Sequence, residues 1–178
     1  TLIKVKPDHP LSQKAMFMIG ANFHALAWYS RASEYYERFA TKYPGEEEAP
    51  EALQNAIVFR LGAGSYDKAL ENSRLFIKNY GPRRKYASRT AAVYYSMGAI
   101  YENQDQWEKV IKQYGDYLKK WGRHGGLDKQ ITAHVKIGEI QWKRSCPITT
   151  TEGACIKVKR VRSKRAIKKK GKKKKGIE

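Results

Sequence analysis

Several residue types and patterns are scarce in this sequence of 178 residues, and each scarcity excludes a class of protein. No run approaches the roughly 18 consecutive apolar residues that indicate a membrane-spanning helix, and no charged segment followed by an apolar one opens the chain as a secretory signal would. Acidic residues are few, since 17 Asp and Glu stand against 36 Lys and Arg, a formal net charge of +19. Because 41% of the residues are hydrophobic and 12% aromatic, the chain can still build a folded core.

Recognisable catalytic and metal-binding motifs are also missing. The four histidines, His9, His24, His124 and His134, occur at unrelated spacings, and none belongs to an H-E-x-x-H sequence. The glycines of "LGAGSY" and "GRHGGLD" lack the Gly-Lys-Ser/Thr ending of a phosphate-binding loop, so they are interpreted as turns between helices. We therefore expect no catalytic site, no cofactor and no metal.

What the sequence does contain is an internal repeat. A small residue, an aromatic residue seven positions later and a second aromatic residue four positions after that occur three times, in steps of 37 and 41 residues. Separations of seven and eleven return to the same face of a helix, and alternation with period two is absent, so the pattern predicts an all-helical chain. The three sets are Ala32, Phe39 and Tyr43; Ala69, Phe76 and Tyr80; and Val110, Tyr117 and Trp121, each followed by Pro or Gly.

The residues that follow the first set predict a break between two consecutive helices. In "YERFATKYPGEEEAPEALQNA", the helix breaks at Pro44-Gly45 and a new one begins around Pro50. Proline cannot continue a helix because it lacks the N–H, but it is well suited to the first helical turn. This arrangement is typical of helices stacked in pairs.

These residues match a known repeat family. Gly20, Phe23, Ala32 and Pro44 fit the tetratricopeptide pattern at every offset. The chain therefore resembles the tetratricopeptide-repeat superfamily over about residues 11–143, which implies a right-handed superhelical solenoid of antiparallel helix pairs. The second repeat departs from the pattern, with Ile57 and Arg60 at the Gly and aromatic positions, and a fourth repeat begins at 137–138 and then departs from it too.

Within that superfamily, "YYERFATKYPGEEEAPEAL" and "LFIKNYG" are most similar to bacterial cell-envelope members, the outer-membrane assembly lipoproteins and the coordinators of the Tol-Pal system. The resemblance implies a non-catalytic scaffold that binds a peptide or helix of a protein partner in its concave groove. Carried onto this sequence, the positions that line the groove in the family are Lys14, Phe17, His24, Glu51, Gln54, Tyr95, Glu102, Asn103, Thr132, Glu139 and Trp142.

Cys146 and Cys155 are the only cysteines, and they bracket a loop of eight residues. The spacing favours a disulfide, which would stabilise so short a ring by roughly 2 to 3 kcal/mol. Two free buried thiols and a metal site are the alternatives, although a zinc site would need further ligands that the sequence does not supply. A disulfide would indicate an oxidising compartment, in agreement with the cell-envelope resemblance.

The positive charge is concentrated at the C-terminal end. From Lys143 onward there are 15 Lys or Arg and two acidic residues, which accounts for +13 of the net charge. Such a segment is expected to be disordered toward its end and to attract phosphate groups or anionic lipid. The residues expected to bind anions are Lys168, Lys169, Lys170, Lys172, Lys173, Lys174 and Lys175.

Together these patterns predict four regions: an extended segment at 1–10, about three and a half repeats at 11–145, a cysteine-bracketed loop at 146–156 and a basic tail at 157–178. Because the sequence begins with Thr1, we expect a processed product or a fragment, part of a larger chain or complex. The function expected is that of an adaptor in the periplasm or cell envelope. The alternative is a cytoplasmic or nuclear repeat protein that binds nucleic acid, or an anionic membrane, through its lysine-rich tail.

Overall fold

A computed structural model describes residues 5–6, 9–146 and 155 of the chain. The chain divides into two compact units, Thr1–Ile140 and Gln141–Glu178, and the repeats lie in the first. The described residues form eight α-helices and one 3-10 turn, without an extended strand. The helices are α1 (Pro10–Ala25), α2 (Tyr29–Lys42), α3 (Ala49–Gly62), α4 (Tyr66–Tyr80), α5 (Ala87–Asn103), α6 (Trp107–Lys120), the short α7 (Gly122–Gly125) and α8 (Leu127–Ser145), with the 3-10 turn at Arg84–Tyr86.

Consecutive helices from α1 to α6 pack against one another, which confirms the predicted stacking of helix pairs. The first helix of each repeat is α1, α3 or α5, and the second is α2, α4 or α6. Helix α8 aligns through Gly138 with the first helix of a fourth repeat, but it does not pack along α6 as closely as α3 packs on α2 or α5 on α4. The predicted turn in "LGAGSY" agrees with the structure, and the helix that contains Phe76 ends at Tyr80, before Gly81. Residues 122–125, in contrast, form one helical turn where a simple glycine turn was expected.

The turn inside each repeat has the same backbone geometry. Ala27, Gly64 and Asp105 all have left-handed backbones, with φ of 57°, 69° and 54°. In each turn the next residue donates its N–H to a carbonyl five residues earlier, as Trp28 does to Phe23 at 2.9 Å. The left-handed residue donates to a carbonyl three residues earlier, which completes a Schellman motif. These turns recur in the same steps of 37 and 41 residues as the side-chain pattern.

The repeated small and aromatic residues form the core. Ala32, Ala69 and Val110 are fully buried, and so are Phe76 and Tyr117. Small residues at these positions allow two helices to approach closely, and the rings fill the space between pairs. The predicted repeat register is confirmed at these positions.

The two glycines of the repeat pattern each face a tyrosine of the partner helix. A Cβ added at Gly20 would lie 2.8 Å from the ring of Tyr36, and one added at Gly98 would overlap the ring of Tyr114. Both tyrosines are buried. Glycine is therefore required there by the close approach of the partner ring.

In the second repeat, the larger side chain is on the first helix and the smaller one is on the second helix. Ile57 occupies the glycine position and Ser73 the tyrosine position, and both are buried. Its Arg60, which stands at an aromatic position of the pattern, forms two hydrogen bonds of 2.7 and 2.8 Å with the Glu37 carboxylate. The arginine of the second repeat is thus matched by a carboxylate on the adjoining helix.

Candidate partner-binding surfaces

An aromatic pocket lies beside the turn of the first repeat. Its volume is about 690 Å³, and it is lined by His24, Ala27, Trp28, Tyr29, Ser30, Arg31, Val58, Phe59, Gly62 and Ala63. It is therefore built by the end of α1, the start of α2 and the end of α3. We refer to it as the aromatic pocket.

Ring contacts hold the walls of the aromatic pocket. The centroid of Phe59 lies 4.7 Å from that of His24 and 4.9 Å from that of Tyr29. Trp28 stacks on Phe23 at 5.8 Å, which is the apolar contact that commonly accompanies a Schellman turn. The side chain of Trp28 nevertheless stays 57% exposed. The corresponding positions of the second and third turns carry polar residues, Ser65 and Gln106, so the aromatic character belongs to the first repeat.

The charge in the lining of the aromatic pocket is positive. Arg31 is a lining residue, and its guanidinium carbon lies 5.9 Å from the centroid of Phe23. None of the lining residues is acidic. The pocket therefore suits an apolar or aromatic side chain, and Arg31 can pair with a negative charge beside it.

The predicted groove residues all lie on the first helices of the repeats, but they differ in what their side chains contact. Phe17 packs on Tyr36 and Phe39, with centroids 5.8 and 5.4 Å apart. Tyr95 packs in the same way on two rings of α6. These two side chains are partly buried within their own repeats.

The remaining groove residues divide by exposure. Glu102 accepts a hydrogen bond of 2.5 Å from Tyr114 and pairs with Lys136 at 3.2 Å. His24 lines the aromatic pocket and Gln54 is partly buried. The exposed members are Lys14, Glu51, Asn103, Thr132, Glu139 and Trp142. The assignment of all eleven to one binding groove stays a prediction.

Two polar clusters connect neighbouring repeats. Glu37 on α2 accepts hydrogen bonds from Arg60 on α3 and from Asn72 on α4, the latter at 2.8 Å. Burial would raise the pKa of the Glu37 carboxyl, but the hydrogen bonds from Arg60 and Asn72, with the charges of Arg60 and Lys68, outweigh it and lower the pKa below its ordinary value. In the second cluster, burial and the hydrogen bond to Glu102 raise the pKa of Tyr114.

Two histidines make local contacts near the ends of helices. His9 accepts a hydrogen bond of 3.1 Å from the N–H of Leu11 at the start of α1, and the ring of His124 lies 6.4 Å from that of Trp121. Within the described ranges, no group of three or more His, Cys, Asp or Glu could hold a metal ion. No described helix is long and apolar enough to cross a membrane.

The two cysteines are joined. Cys146 and Cys155 form a disulfide whose Cα atoms lie 5.5 Å apart, as their spacing predicted. The anion-binding lysines of the tail, 168–170 and 172–175, lie outside the described residues, so their assignment stays a prediction.

The helix pairs, the repeated Schellman turns and the glycine–tyrosine contacts define a fold of the tetratricopeptide-repeat class. The tetratricopeptide-repeat domain of Sgt2 from Aspergillus fumigatus resembles the chain with a TM-score of 0.56 and 15% sequence identity, and the match covers 89% of this chain and 95% of that one. At this identity the likeness shows the fold, which confirms the predicted fold class. No protein-family model and no curated protein matches the sequence.

Proposed function

We propose that this protein is a non-catalytic scaffold that binds a peptide or helix of a protein partner. The observation that carries the proposal is the aromatic pocket, in which Trp28 and Tyr29 remain exposed beside Phe59. Exposed aromatic rings that line a pocket are typical anchors in protein interfaces, because they bury a large area at little conformational cost. His24 belongs both to this pocket and to the predicted groove, so a bound segment would run from the groove into the pocket.

The chemistry of the pocket specifies the segment. Its apolar walls favour a Phe, Trp or Leu side chain, and Arg31 favours an Asp or Glu beside it. The excess of positive charge over the whole chain favours an acidic partner as well, through faster association at low salt. The partner is therefore proposed to present an acidic segment with one large apolar anchor.

Peptide arrays provide the test. Acidic peptides with a central Phe, Trp or Leu should bind the full chain, and peptides with Ala at the centre should not. Trp28→Ala should weaken binding about 10-fold or more, as the loss of an aromatic anchor does. The matched control is Trp107→Ala, because Trp107 is also exposed at a repeat turn but lies outside the aromatic pocket. Equal losses in the two variants, or none in either, would contradict the assignment of the pocket.

The cell envelope is the proposed location. The disulfide between Cys146 and Cys155 supports it, because such bonds persist mainly in oxidising compartments. The similarity of "YYERFATKYPGEEEAPEAL" to envelope repeat proteins supports it too. In that setting the protein would act as an adaptor in an envelope complex.

The alternative function is binding to nucleic acid or an anionic membrane, and the observation that favours it is the lysine-rich sequence of the tail. Binding of that kind should fall by several orders of magnitude between about 50 and 200 mM salt, since each neutralised phosphate releases a counterion. Truncation after Cys155 should abolish it. A truncated chain that still binds the acidic peptides, and loses them on Trp28→Ala, would support the scaffold instead.

A further inference from the structure

Helix α8 exposes the face that, in the earlier repeats, packs on a second helix. Aligned on the repeat glycines, positions 131, 135 and 138 of α8 correspond to positions 91, 95 and 98 of α5. On α5, Ala91 is fully buried, Tyr95 contacts two rings of α6, and Gly98 lies under the ring of Tyr114. This is the face of α5 that receives α6.

The same face of α8 is uncovered in the described part of the chain. Ile131 is 54% exposed, Val135 is 50% exposed and Leu127, one turn earlier, is 70% exposed. A Cβ added at Gly138 would meet no described atom within 4 Å. The four residues are spaced by four, four and three, so they share one side of the helix, which we call the α8 face.

The opposite side of α8 is held in the core. Ala133 and Ile140 are buried in the same cluster as Tyr114 and Tyr117. Lys136 forms its ion pair with Glu102 of α5. Helix α8 is thus held on the third repeat through this side, and the α8 face is turned away from that contact.

We infer that the α8 face is a docking site for an amphipathic helix of a partner protein, which binds as the second helix of a fourth repeat. The two complete glycine-containing repeats define the chemistry of that helix. Its signature is a small residue, an aromatic residue four positions later and another three positions after that, as in Ala32, Tyr36 and Phe39 or in Val110, Tyr114 and Tyr117. The first aromatic ring would cover Gly138 as Tyr114 covers Gly98.

Other occupants fit the α8 face less well. Residues 147–178 contain no Phe, Tyr or Trp, so they lack the required rings. A second copy carries the signature only on α2 and α6, whose rings are already buried in their own repeats. The inference extends the proposed scaffold function to a second surface and does not depend on the aromatic pocket.

The probe is a labelled, helix-stapled peptide with the sequence of α6, 107–120, added to the full chain and followed by fluorescence anisotropy. The staple is needed because a free helix of this length is marginal in water. A control peptide has Ala at both tyrosine positions, 114 and 117. We expect the first peptide to bind at least 10-fold more tightly than the control.

Gly138→Ala is the decisive variant. In the free protein the added Cβ meets no described atom, so the better helix propensity of Ala should raise the melting temperature. In the complex, the same Cβ should collide with the first aromatic ring of the peptide. The variant should therefore bind the peptide at least 10-fold more weakly than the parent does. The matched control is Gly115→Ala, an equally open glycine of α6, which should raise the melting temperature and leave binding unchanged.

Three results would overturn the inference. The first is equal binding of the two peptides. The second is unchanged binding of the α6 peptide to the Gly138→Ala protein, which would place the peptide at α5 or elsewhere. The third is a dimer, detected by light scattering, that Val135→Asp converts to a monomer, because a second copy would then be the occupant. Trp28→Ala should leave binding of the α6 peptide unchanged. Failure at the α8 face would therefore not be confused with failure of the aromatic pocket.

Discussion

At the scale of single residues, helix contacts in this protein depend on matched sizes rather than on one conserved type of side chain. The two glycine positions face tyrosines, and the corresponding pair in the second repeat is an isoleucine and a serine. The three pairs are Gly20 with Tyr36, Ile57 with Ser73, and Gly98 with Tyr114. Because protein interiors are close-packed, a change on one side of such a pair requires a change on the other.

This matching predicts opposite effects for two glycine substitutions. Gly98→Ala should destabilise by about 1 to 3 kcal/mol, because its Cβ would overlap the ring of Tyr114. Gly115→Ala, on α6, should stabilise by about 0.5 to 1 kcal/mol, because its Cβ meets no described atom and Ala favours a helix. Urea unfolding followed by circular dichroism measures both. Equal effects in the two variants would contradict the contact.

The left-handed turn residues give a second matched pair. Ala27→Gly should stabilise by about 1 kcal/mol, because a left-handed backbone strains a residue with a Cβ and not a glycine. Gly64→Ala, at the same position of the next repeat, should destabilise by a similar amount. Thermal unfolding of the two variants tests this. If Ala27→Gly proves the less stable of the two, the turn geometry is wrong.

At the scale of helices, the contact between the first and second repeats contains a buried ion pair. Arg60 is only 5% exposed, and its guanidinium meets both carboxylate oxygens of Glu37. Removing one member of such a pair leaves the other without its partner in a poorly solvated site. The pair therefore fixes how α3 packs on α2.

Arg60→Ala should destabilise by about 2 to 4 kcal/mol, below the upper range for fully buried pairs because Glu37 keeps 21% of its side-chain exposure. The control is Lys129→Ala, which removes an exposed ion pair with Asp128 at 3.5 Å and should change stability by less than about 0.5 kcal/mol. Urea unfolding at neutral pH measures both. If Lys129→Ala lowers the free energy of unfolding as much as Arg60→Ala does, burial of the ion pair does not explain the effect.

The same pair makes stability depend on pH. Because the pKa of Glu37 is lower in the folded state, its contribution is present above the unfolded value of about 4.3 and is lost as pH falls through the folded value. The difference in stability between the parent and Glu37→Gln should therefore be large at pH 7 and shrink below about pH 4. A difference that stays constant down to pH 2 would contradict the lowered pKa.

At the scale of the whole molecule, the thiol state connects structure to location. Protein isolated from its native compartment should have a mass two hydrogens below that of the reduced chain, and neither Cys146 nor Cys155 should react with iodoacetamide until it is reduced. Mass spectrometry with and without a reductant makes the measurement. Two freely alkylated thiols in the native protein would remove the main support for the cell-envelope proposal.

Much of the fold was predictable, whereas the surfaces were less so. The small and aromatic residues such as Ala32 and Phe39 predicted the repeat register, since helical periodicity reports directly which residues are buried. The groove residues came instead from the resemblance to the tetratricopeptide family, and the structure shows the rings of two of them, Phe17 and Tyr95, partly buried against the second helix of their own repeat. Periodicity identifies an apolar face but not which neighbour covers it.

The sequence alone determined the all-helical repeat and the positions of the breaks between helices, and it favoured a bond between the two cysteines, because these depend on local spacing along the chain. Only the tertiary structure decided that Gly98 needs the ring of Tyr114 above it, that Arg60 is satisfied by Glu37 and that Trp28 borders a pocket with Phe59. It also showed that Gly138 lies under no ring of the described residues. Each of these is a contact between side chains far apart in sequence, and its energy depends on distances that no spacing along the chain records.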